Sequence, residues 1–306
     1  MRVLITGGTG TIGLAVADAL RARGDQVVAL TRDPDRGSRV LGAGVEVHAW
    51  PDPTQAPPPV QALTGTDAVV HLLGEPVAQR WTQEARQRIR DSRVLGTRML
   101  VQGLQAVDDS QRPNVLVSQS ATGYYGPGGD APVDEQTAAG HDFLAEVTAA
   151  WEQEALSAQS LMRVVLTRTG VVLSPNGGAL AKMLPFFRLG IGGPVAGGQQ
   201  YVPWIHLEDV VGALIRCVDD AAASGPINVT APNPVTNTEL SKALGHALGR
   251  PAVLPVPGFA IKLLYGEMAE MVTTGARVIP ARLRQLGYEF RHPEIGPALR
   301  DVLGAA

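Results

Sequence analysis

A short apolar strand that runs directly into three spaced glycines is the feature that most constrains the fold of this chain. The strand is Val3–Thr6, and Gly7, Gly10 and Gly13 follow it with the spacing GxxGxxG. The first glycine permits a tight turn, the second lets the backbone approach a pyrophosphate, and the third lets the next helix pack closely on the strand. The pattern therefore predicts a dinucleotide site at the amino end of that helix.

The residues around the glycines support this interpretation. Residues 14–23 have the apolar spacing of a helix, and Gln26–Leu30 reads as a second strand. A glycine fingerprint carries weight only between a strand and a helix, and both are present here. Thr9, Thr11 and Ile12 lie in the same turn, so we include them among the predicted cofactor-binding residues.

Strands and helices alternate through the first half of the chain, which predicts an α/β fold with a doubly wound parallel sheet of the Rossmann type. The apolar runs are continuous, as in strands covered on both faces. The predicted strands are Arg2–Thr6, Gln26–Thr31, Val45–Ala49, Ala68–Leu73, Asn114–Ser120 and Arg163–Arg168, with Pro226–Thr230 rejoining the sheet.

Glycine becomes frequent after about Ser174, which predicts a smaller carboxyl-terminal substrate region. Within it we expect helices at about 179–189, 239–248 and 259–271. The predicted division assigns residues 1–168 to the nucleotide domain, completed by about 205–230. Residues 169–204 and 231–306 would cover the substrate. Within them, Met183–Trp204 would determine which substrate binds.

The end of the second strand indicates which dinucleotide binds. An acidic residue there would hydrogen-bond the ribose 2′-hydroxyl of NAD, whereas a 2′-phosphate calls for arginine. Here Thr31 occupies the expected position of the acid and Arg32 follows, which favours NADP(H). The alternative is that Arg32 is a solvated loop charge and that Asp33 acts as the acid.

The loop after the fourth strand supplies further predicted cofactor contacts, because ligands in open α/β sheets lie beyond the carboxyl ends of the strands. Leu72, Leu73 and Gly74 end that strand, and Glu75 and Arg80 follow within reach of polar cofactor atoms.

Composition and charge exclude several classes of protein. The net charge of −3 offers no electrostatic case for nucleic acid or an anionic membrane, and no apolar run approaches the length of a membrane span. Six scattered histidines lack the spacing of metal ligands, so we expect no metal.

Cys217 is the sole cysteine, in an apolar helical pattern that favours a buried core position. Without a visible signal peptide, we expect a cytoplasmic protein.

Several motifs resemble those of atypical short-chain dehydrogenases/reductases, and more narrowly the epimerase-family (YfcH-like) oxidoreductases. They run nearly end to end. The resembling segments are residues 73–76, 92–93, 117–126, 151–152, 168–173, 192–194, 204–206 and 231–237. The resemblance implies a Rossmann domain, an NADP(H) cofactor, a small-molecule substrate and a carboxyl-terminal substrate region; a homodimer is compatible with it.

The resemblance also identifies a departure at the catalytic site. Ser120 matches the serine that hydrogen-bonds the reacting oxygen in such enzymes, but the window for their Tyr-x-x-x-Lys pair, residues 140–148, contains neither tyrosine nor lysine. Phe143 and Val147 lie there instead, and neither can exchange a proton.

Three replacements for the missing pair stay open. Tyr124 or Tyr125, just after the strand of Ser120, could supply the acid. Asp142 or Glu146 could do so if burial raises the pKa of its carboxyl group. Or nothing replaces the pair.

Two functions follow from these alternatives. The first is an NADP(H)-dependent oxidoreductase or epimerase that transfers hydride at a carbonyl or carbinol carbon, with Ser120, Tyr124 and Tyr125 as candidate catalytic residues. The second is a non-catalytic NADP(H)-binding redox sensor or assembly protein that lost the proton relay. His206 and Asp209 resemble a histidine–acid segment of the family, where helix capping is at least as good an interpretation as catalysis.

Overall fold

We describe the protein from a computed structural model that covers residues 1–304, apart from the side chain of residue 264. The strands, in chain order, are β1 (Arg2–Thr6), β2 (Gln26–Thr31), β3 (Val45–Ala49), β4 (Ala68–His71), β5 (Val115–Ala121), β6 (Pro132–Val133), β7 (Arg163–Thr169), β8 (Val171–Leu173), β9 (Tyr201–Val202), β10 (Trp204–His206), β11 (Gly225–Val229), β12 (Val235–Thr236) and β13 (Arg277–Val278). The α-helices are α1 (Thr11–Ala22), α2 (Pro34–Leu41), α3 (Val60–Leu63), α4 (Gln83–Gln105), α5 (Phe143–Leu156), α6 (Gly178–Arg188), α7 (Leu207–Asp219), α8 (Asn237–Leu248), α9 (Gly258–Tyr265), α10 (Glu270–Thr273), α11 (Ala281–Gln285) and α12 (Ile295–Leu303). Short 3-10 helices lie at Asp109–Gln111, Thr122–Tyr125 and Gly266–Ala269.

A parallel seven-stranded sheet organises the molecule, in the order β11-β7-β5-β4-β1-β2-β3. The chain moves outward from β1 through β2 and β3, then returns to the other side of β1 at β4. This reversal is the topological switch point where ligands bind in doubly wound folds. The predicted fold class is confirmed, and the predicted strands match the observed ones closely.

Both faces of the sheet are buried, which explains the continuous apolar runs of its strands. Val3 and Ile5 of β1 point into a core shared with α1 and α7, while Leu4 between them points into a core shared with α4 and α5. All three side chains are fully buried. Each contributes about 1.5–3 kcal/mol of burial free energy relative to an exposed position.

The carboxyl-terminal segments form a third core, between α6, α8 and α12. Its buried side chains include Leu180, Leu184, Leu244 and Leu299. The helices predicted near 179–189 and 239–248 are confirmed as α6 and α8. The domain boundaries given above remain a prediction.

The single helix predicted over 259–271 is wrong, because α9 ends at Tyr265. Gly266 follows with φ +64°, a conformation that glycine adopts readily and that terminates a right-handed helix. A 3-10 turn and α10 continue the segment.

Two predictions about the whole chain can be compared with the structure directly. Cys217 is fully buried on α7, and burial raises the pKa of its thiol to about 12, so the predicted core role is confirmed. Among residues 1–304, no helix combines the length and apolar character needed to cross a bilayer.

Candidate functional site

The glycine turn between β1 and α1 has the close contacts that its sequence predicts. Gly7 adopts φ +69°, and a Cβ atom there would lie 2.6 Å from the carbonyl oxygen of Leu72. A Cβ at Gly13 would collide with the carbonyl of Gly7, so the third glycine lets α1 pack on the turn. Gly10 has open space on its outer side, where only the Gly7 carbonyl approaches, at 3.3 Å. A phosphate could therefore approach the backbone there.

The amino end of α1 has donors available for an anion. Gly10 is the N-cap residue, so α1 has no side-chain cap, and the first backbone N–H groups of the helix lack an intrahelical acceptor. Thr9, Gly10 and Thr11 are exposed, and Ile12 is half-buried beneath them. These groups have the free donors and the helix dipole that a phosphate would need, and the predicted phosphate site stays a prediction.

The residues after β2 are arranged in a way that favours a 2′-phosphate. The side chain of Asp33 caps α2 by accepting a hydrogen bond from the Arg36 N–H at 3.0 Å. The Thr31 hydroxyl donates to the backbone carbonyl of Asp33 at 3.3 Å. Arg32 is exposed, and its guanidinium makes no hydrogen bond or ion pair within the part of the chain that the structure describes. Asp33 thus has a structural role, while Arg32 is available to a ligand.

The loop after β4 is supported from below by α4. Arg93 donates to the carbonyl of Glu75 at 2.9 Å and packs under Gly74, and the Glu75 N–H donates to Ser92 Oγ at 2.9 Å. These contacts hold Leu72, Leu73, Gly74 and Glu75 against the glycine turn, since Leu72 lies beside Gly7. Arg80 is exposed further along this loop, and its guanidinium is without a hydrogen-bond partner among residues 1–304.

A buried histidine ties β1, β4 and α4 together behind the site. Thr6 Oγ1 accepts from the Leu72 N–H and hydrogen-bonds His71 Nδ1 at 2.7 Å, while His71 Nε2 lies 3.0 Å from Thr97 Oγ1. Both ring nitrogens of His71 are therefore engaged by the hydroxyl groups of Thr6 and Thr97. Burial lowers the pKa of His71 to about 3, so the ring is neutral and fixes the start of the loop.

Ser120 lies at the carboxyl end of β5, in contact with a buried ion pair. Its hydroxyl donates to Glu152 Oε1 at 2.6 Å, and Arg168 donates to both carboxylate oxygens of Glu152 at 2.8 Å each. Glu152 and Arg168 are 5% and 4% exposed, so the pair is almost wholly removed from water. Ser120 is itself only 1% exposed, and since it gives its proton to Glu152, only the lone pairs of its hydroxyl remain for a further partner.

The two tyrosines after β5 have different surroundings. The Tyr125 hydroxyl donates to Asn228 Oδ1 at 2.7 Å and accepts from Arg168 at 3.0 Å, and burial raises the pKa of this phenol to about 12. Tyr124 is half-buried, with the Arg168 guanidinium 3.5 Å from its ring centroid. Its hydroxyl makes no hydrogen bond to any described residue. These contacts favour a structural role for Tyr125 and leave Tyr124 available.

The face of α5 that points toward Ser120 does not carry Phe143 and Val147, the two residues noted in the sequence segment 140–148. Glu152 contacts Ser120, and positions one and two turns earlier on the same face are Thr148 and Leu144, the latter packing against Gly123. Phe143 instead makes an edge-on contact with Trp81, with ring centroids 5.1 Å apart. Leu144 and Thr148, rather than Phe143 and Val147, therefore face the end of β5.

The two carboxylates considered as alternative acids differ in their surroundings. Asp142 is the N-cap of α5, accepting from the Ala145 N–H at 2.9 Å, while Glu146 is exposed in the first turn. Helix capping explains why an aspartate stands at position 142, so Asp142 needs no catalytic role.

A second polar cluster brings His206, His292 and Asp301 together, which their separation in sequence does not suggest. The rings of His206 and His292 stack with centroids 3.7 Å apart, and His206 Nε2 lies 3.2 Å from Asp301 Oδ2. However, His206 Nδ1 accepts the Glu208 N–H, capping α7, so Nε2 carries the proton and offers no lone pair to a metal. The capping interpretation of His206 is confirmed, and the absence of a metal remains a prediction.

Glu152 and Arg168 are the important residues that sequence reasoning missed. Glu152 lies on the buried face of α5, and Arg168 lies in the buried strand β7. Because buried charges occur almost only in pairs, two charges on buried elements were the available signal.

Comparison with known proteins gives a consistent family. The model of the NAD dependent epimerase/dehydratase family matches residues 3–230, and the domain of unknown function DUF1731 matches residues 256–302. The chain is 40% identical to the chloroplastic SDR39U1 homologue, an epimerase family protein of Arabidopsis thaliana, over 99% of this chain and 87% of that protein. It is 43% identical to epimerase family protein Mb2239 of Mycobacterium bovis, over 97% of this chain and 96% of the relative.

Solved structures agree with the sequence relatives. The crystal structure of human epimerase family protein SDR39U1 with NADPH superposes with a TM-score of 0.89, at 34% identity and over 99% of both chains. A nucleoside-diphosphate sugar epimerase from Corynebacterium glutamicum gives a TM-score of 0.77 at 33% identity, over 99% of this chain and 58% of that one.

Proposed function

This chain belongs to the NAD-dependent epimerase/dehydratase family, and we propose that it is an NADP(H)-dependent oxidoreductase or epimerase acting on a small molecule. The observation that carries the proposal is the uncapped end of α1 together with Arg32, which has no hydrogen-bond or ion-pair partner among residues 1–304, while Asp33 is already used as a helix cap. The human relative of known structure holds NADPH, which supports the same cofactor here.

The residues around the switch point fit this cofactor. The α1 N–H groups and the turn at Gly7, Gly10 and Gly13 would hold the pyrophosphate, and Arg32 with Thr31 would hold the 2′-phosphate. The loop from Leu72 to Glu75 would lie along the ribose and pyrophosphate of the cofactor. When bound, NADP(H) supplies or accepts hydride at C4 of the nicotinamide.

The contribution of the chain itself is orientation of the substrate oxygen and handling of its proton. Ser120 donates to Glu152, so it presents lone pairs and would accept a hydrogen bond from a substrate hydroxyl. Tyr124 is the better candidate for proton exchange, because the Tyr125 hydroxyl is already engaged by Asn228 and Arg168.

Cofactor choice is tested by calorimetric titration with NADPH and NADH. We expect Arg32→Ala to weaken NADPH binding about tenfold or more while leaving NADH affinity unchanged. Arg39→Ala, an exposed arginine on the last turn of the same α2, is the matched control. Equal affinity of the unmodified protein for the two cofactors would contradict the role of Arg32.

Catalysis is tested with NADP(H) and a panel of alcohols, carbonyl compounds and sugar nucleotides, followed at the nicotinamide absorbance. With a substrate found, Tyr124→Phe should abolish most of kcat. Tyr125→Phe should act mainly on stability, since it removes a buried hydrogen bond. Activity that survives in Tyr124→Phe would remove this tyrosine from the mechanism.

A second candidate is a non-catalytic NADP(H)-binding redox sensor or assembly protein. The face of α5 toward β5 favours it, since Leu144 and Thr148 stand where a proton-relaying pair would be needed. Tight NADPH binding without turnover across the panel would favour this function. A cytoplasmic location and a homodimeric state complete the proposal, to be checked by cell fractionation and light scattering.

A further inference from the structure

Arg93 on α4 carries a positive charge that its protein contacts do not neutralise. Its Nη1 donates to the backbone carbonyls of Glu75 and Ile89, at 2.9 Å and 3.1 Å. Among residues 1–304, its Nε and Nη2 make no hydrogen bond and its guanidinium forms no ion pair. The nearby Glu75 carboxylate is instead approached by Gln79, at 3.2 Å, and by Arg88, at 3.8 Å.

The surroundings of the Arg93 guanidinium make a free charge costly. The ring of Trp151 lies on one side, with its centroid 5.2 Å from the guanidinium carbon. The indole N–H of Trp151 is buried and also has no hydrogen-bond partner in the described part of the chain. Burial lowers the pKa of Arg93 to about 10, so the side chain is still charged at neutral pH. A charge held away from water without a counter-ion needs a ligand to supply the opposite charge.

A ligand can approach this guanidinium beside Gly74. The glycine is exposed, and a Cβ atom there would lie 3.1 Å from Arg93 Nη2, so no side chain separates the free donor from the outer side of the loop. His71 pairs with Ser118 in the register of β4 and β5, so the loop after His71 leaves the sheet next to Ser120. Gly74 therefore lies where both the cofactor and a substrate would pass.

We propose that Arg93 binds an anionic oxygen of a ligand, on a phosphate or a carboxylate, through Nε and Nη2 beside Gly74. These two groups of a guanidinium are parallel donors, and they match two oxygens of such an anion. The source is the pyrophosphate of the cofactor or an acidic group of the substrate, and the chemistry of recognition is the same for both. The assignment rests on the proposed function and narrows it to a site with a dedicated anion contact.

The first arm of the test is calorimetric titration with NADPH and with adenosine 2′-monophosphate, a fragment that lacks the pyrophosphate. If the cofactor supplies the anion, Arg93→Gln should weaken NADPH binding about tenfold or more and leave the affinity of the fragment unchanged. Arg93→Lys should restore part of the loss, because the ammonium retains the charge without the planar donors. Ser92→Ala is the matched control, since it removes the other contact that holds Glu75 and leaves the charge in place.

The second arm uses the protein saturated with NADPH, which keeps the probes from the amino end of α1. The probes are propionate and its neutral analogue propionamide, and the readout is the magnetic resonance signal of the Trp151 indole N–H, identified with Trp151→Phe. If the substrate supplies the anion, propionate should shift this signal saturably and propionamide should not. Arg93→Gln should remove the shift, whereas Arg90→Gln, at an exposed arginine of the same helix, should preserve it.

Either response supports the proposal and identifies the source of the anion. The proposal is overturned if NADPH affinity falls no further in Arg93→Gln than in Ser92→Ala and no shift by propionate depends on Arg93. The comparison of propionate with propionamide needs no variant, so it remains decisive if Arg93→Gln does not fold. Failure of the proposed function is distinguishable, because the unmodified protein would then lack NADPH binding or turnover.

Discussion

Glu152 and Arg168 are charged residues that the fold places in its interior, next to Ser120. A buried ion pair costs desolvation free energy that its own attraction roughly offsets, so its presence suggests a role beyond stability. Here the pair orients the Ser120 hydroxyl, the Tyr124 ring and the Tyr125 hydroxyl at once. Three side chains near the end of β5 therefore share a single electrostatic anchor.

Breaking this pair should be costly. Arg168→Gln leaves the Glu152 carboxylate buried without its cation, and we expect a loss of about 3–5 kcal/mol in the free energy of unfolding. Arg98→Gln breaks a pair of the same residue types, but Arg98 is 47% exposed, so the loss should stay below about 1 kcal/mol. Urea denaturation of both variants makes the comparison. Similar losses would mean that the buried pair is not the anchor described here.

His71 should make the protein sensitive to acid. Its folded pKa is about 3 against an ordinary 6.5, so below pH 6.5 the unfolded chain binds a proton that the folded chain does not. The free energy of unfolding should therefore fall as the pH drops from 6.5 towards 3, by up to about 1.4 kcal/mol per pH unit.

His71→Gln should flatten that slope while lowering stability at neutral pH, because it disturbs the hydrogen bonds to Thr6 and Thr97. His141→Gln, at an exposed histidine, should leave the slope as it is. Denaturation series at several pH values supply the measurement. If the slope survives in His71→Gln, another group is responsible for it.

At the scale of elements, the sequence allows the glycine turn to be predicted in detail, whereas the orientation of α5 could not be. The turn depends on local geometry, since Gly7, Gly10 and Gly13 are required wherever backbone and phosphate approach closely. The rotation of α5 depends on packing against β5 and α4, which no local pattern encodes. Thr148 and Leu144 therefore emerged at the site only with the structure, as did the pairing of Glu152 with Arg168.

Substitutions at Gly13 and Gly10 should separate the effect on stability from the effect on cofactor binding. Gly13→Ala places a Cβ against the Gly7 carbonyl, so we expect both lower thermal stability and loss of NADPH binding. Gly10→Ala meets only one atom at 3.3 Å, so stability should change by about 1 kcal/mol or less while the NADPH Kd rises about tenfold or more. Gly129→Ala, where a Cβ meets nothing, is the control for both. Equal cofactor affinity of Gly10→Ala and the unmodified protein would contradict the assigned phosphate site.

At the scale of the whole molecule, Asp209 joins the carboxyl-terminal segment to the main sheet. Its fully buried carboxylate accepts hydrogen bonds from the N–H groups of Arg291 and His292, at 2.8 Å and 2.9 Å, and from the Tyr288 hydroxyl at 3.2 Å. The sequence places this aspartate in a family segment, but its partners lie about eighty positions along the chain. Such long-range pairing is why the role of Asp209 became clear only in the fold.

Asp209→Asn should loosen this attachment. The amide retains one acceptor oxygen and turns an NH2 group toward a backbone N–H, so we expect a loss of about 1–3 kcal/mol in the free energy of unfolding. The amides of Arg291 and His292 should also exchange hydrogen faster. Asp18→Asn, on an exposed position of α1, should change neither quantity. Unchanged exchange at these two amides would contradict the role of Asp209.

The amino end of α6 lies directly on the amino end of α1, since a Cβ at Gly177 would be 2.5 Å from Thr11 Oγ1. Because this contact borders the end of α1 where a dinucleotide would bind, we expect it to lengthen the residence time of the cofactor. Gly177→Ala should shorten it, as measured by displacement of NADPH in a stopped-flow instrument. A cofactor retained through both half-reactions can return its hydride to the same substrate, which is isomerisation, whereas rapid exchange suits net oxidation or reduction. This one contact thereby makes the dissociation rate a means of deciding which of the two reactions the protein performs.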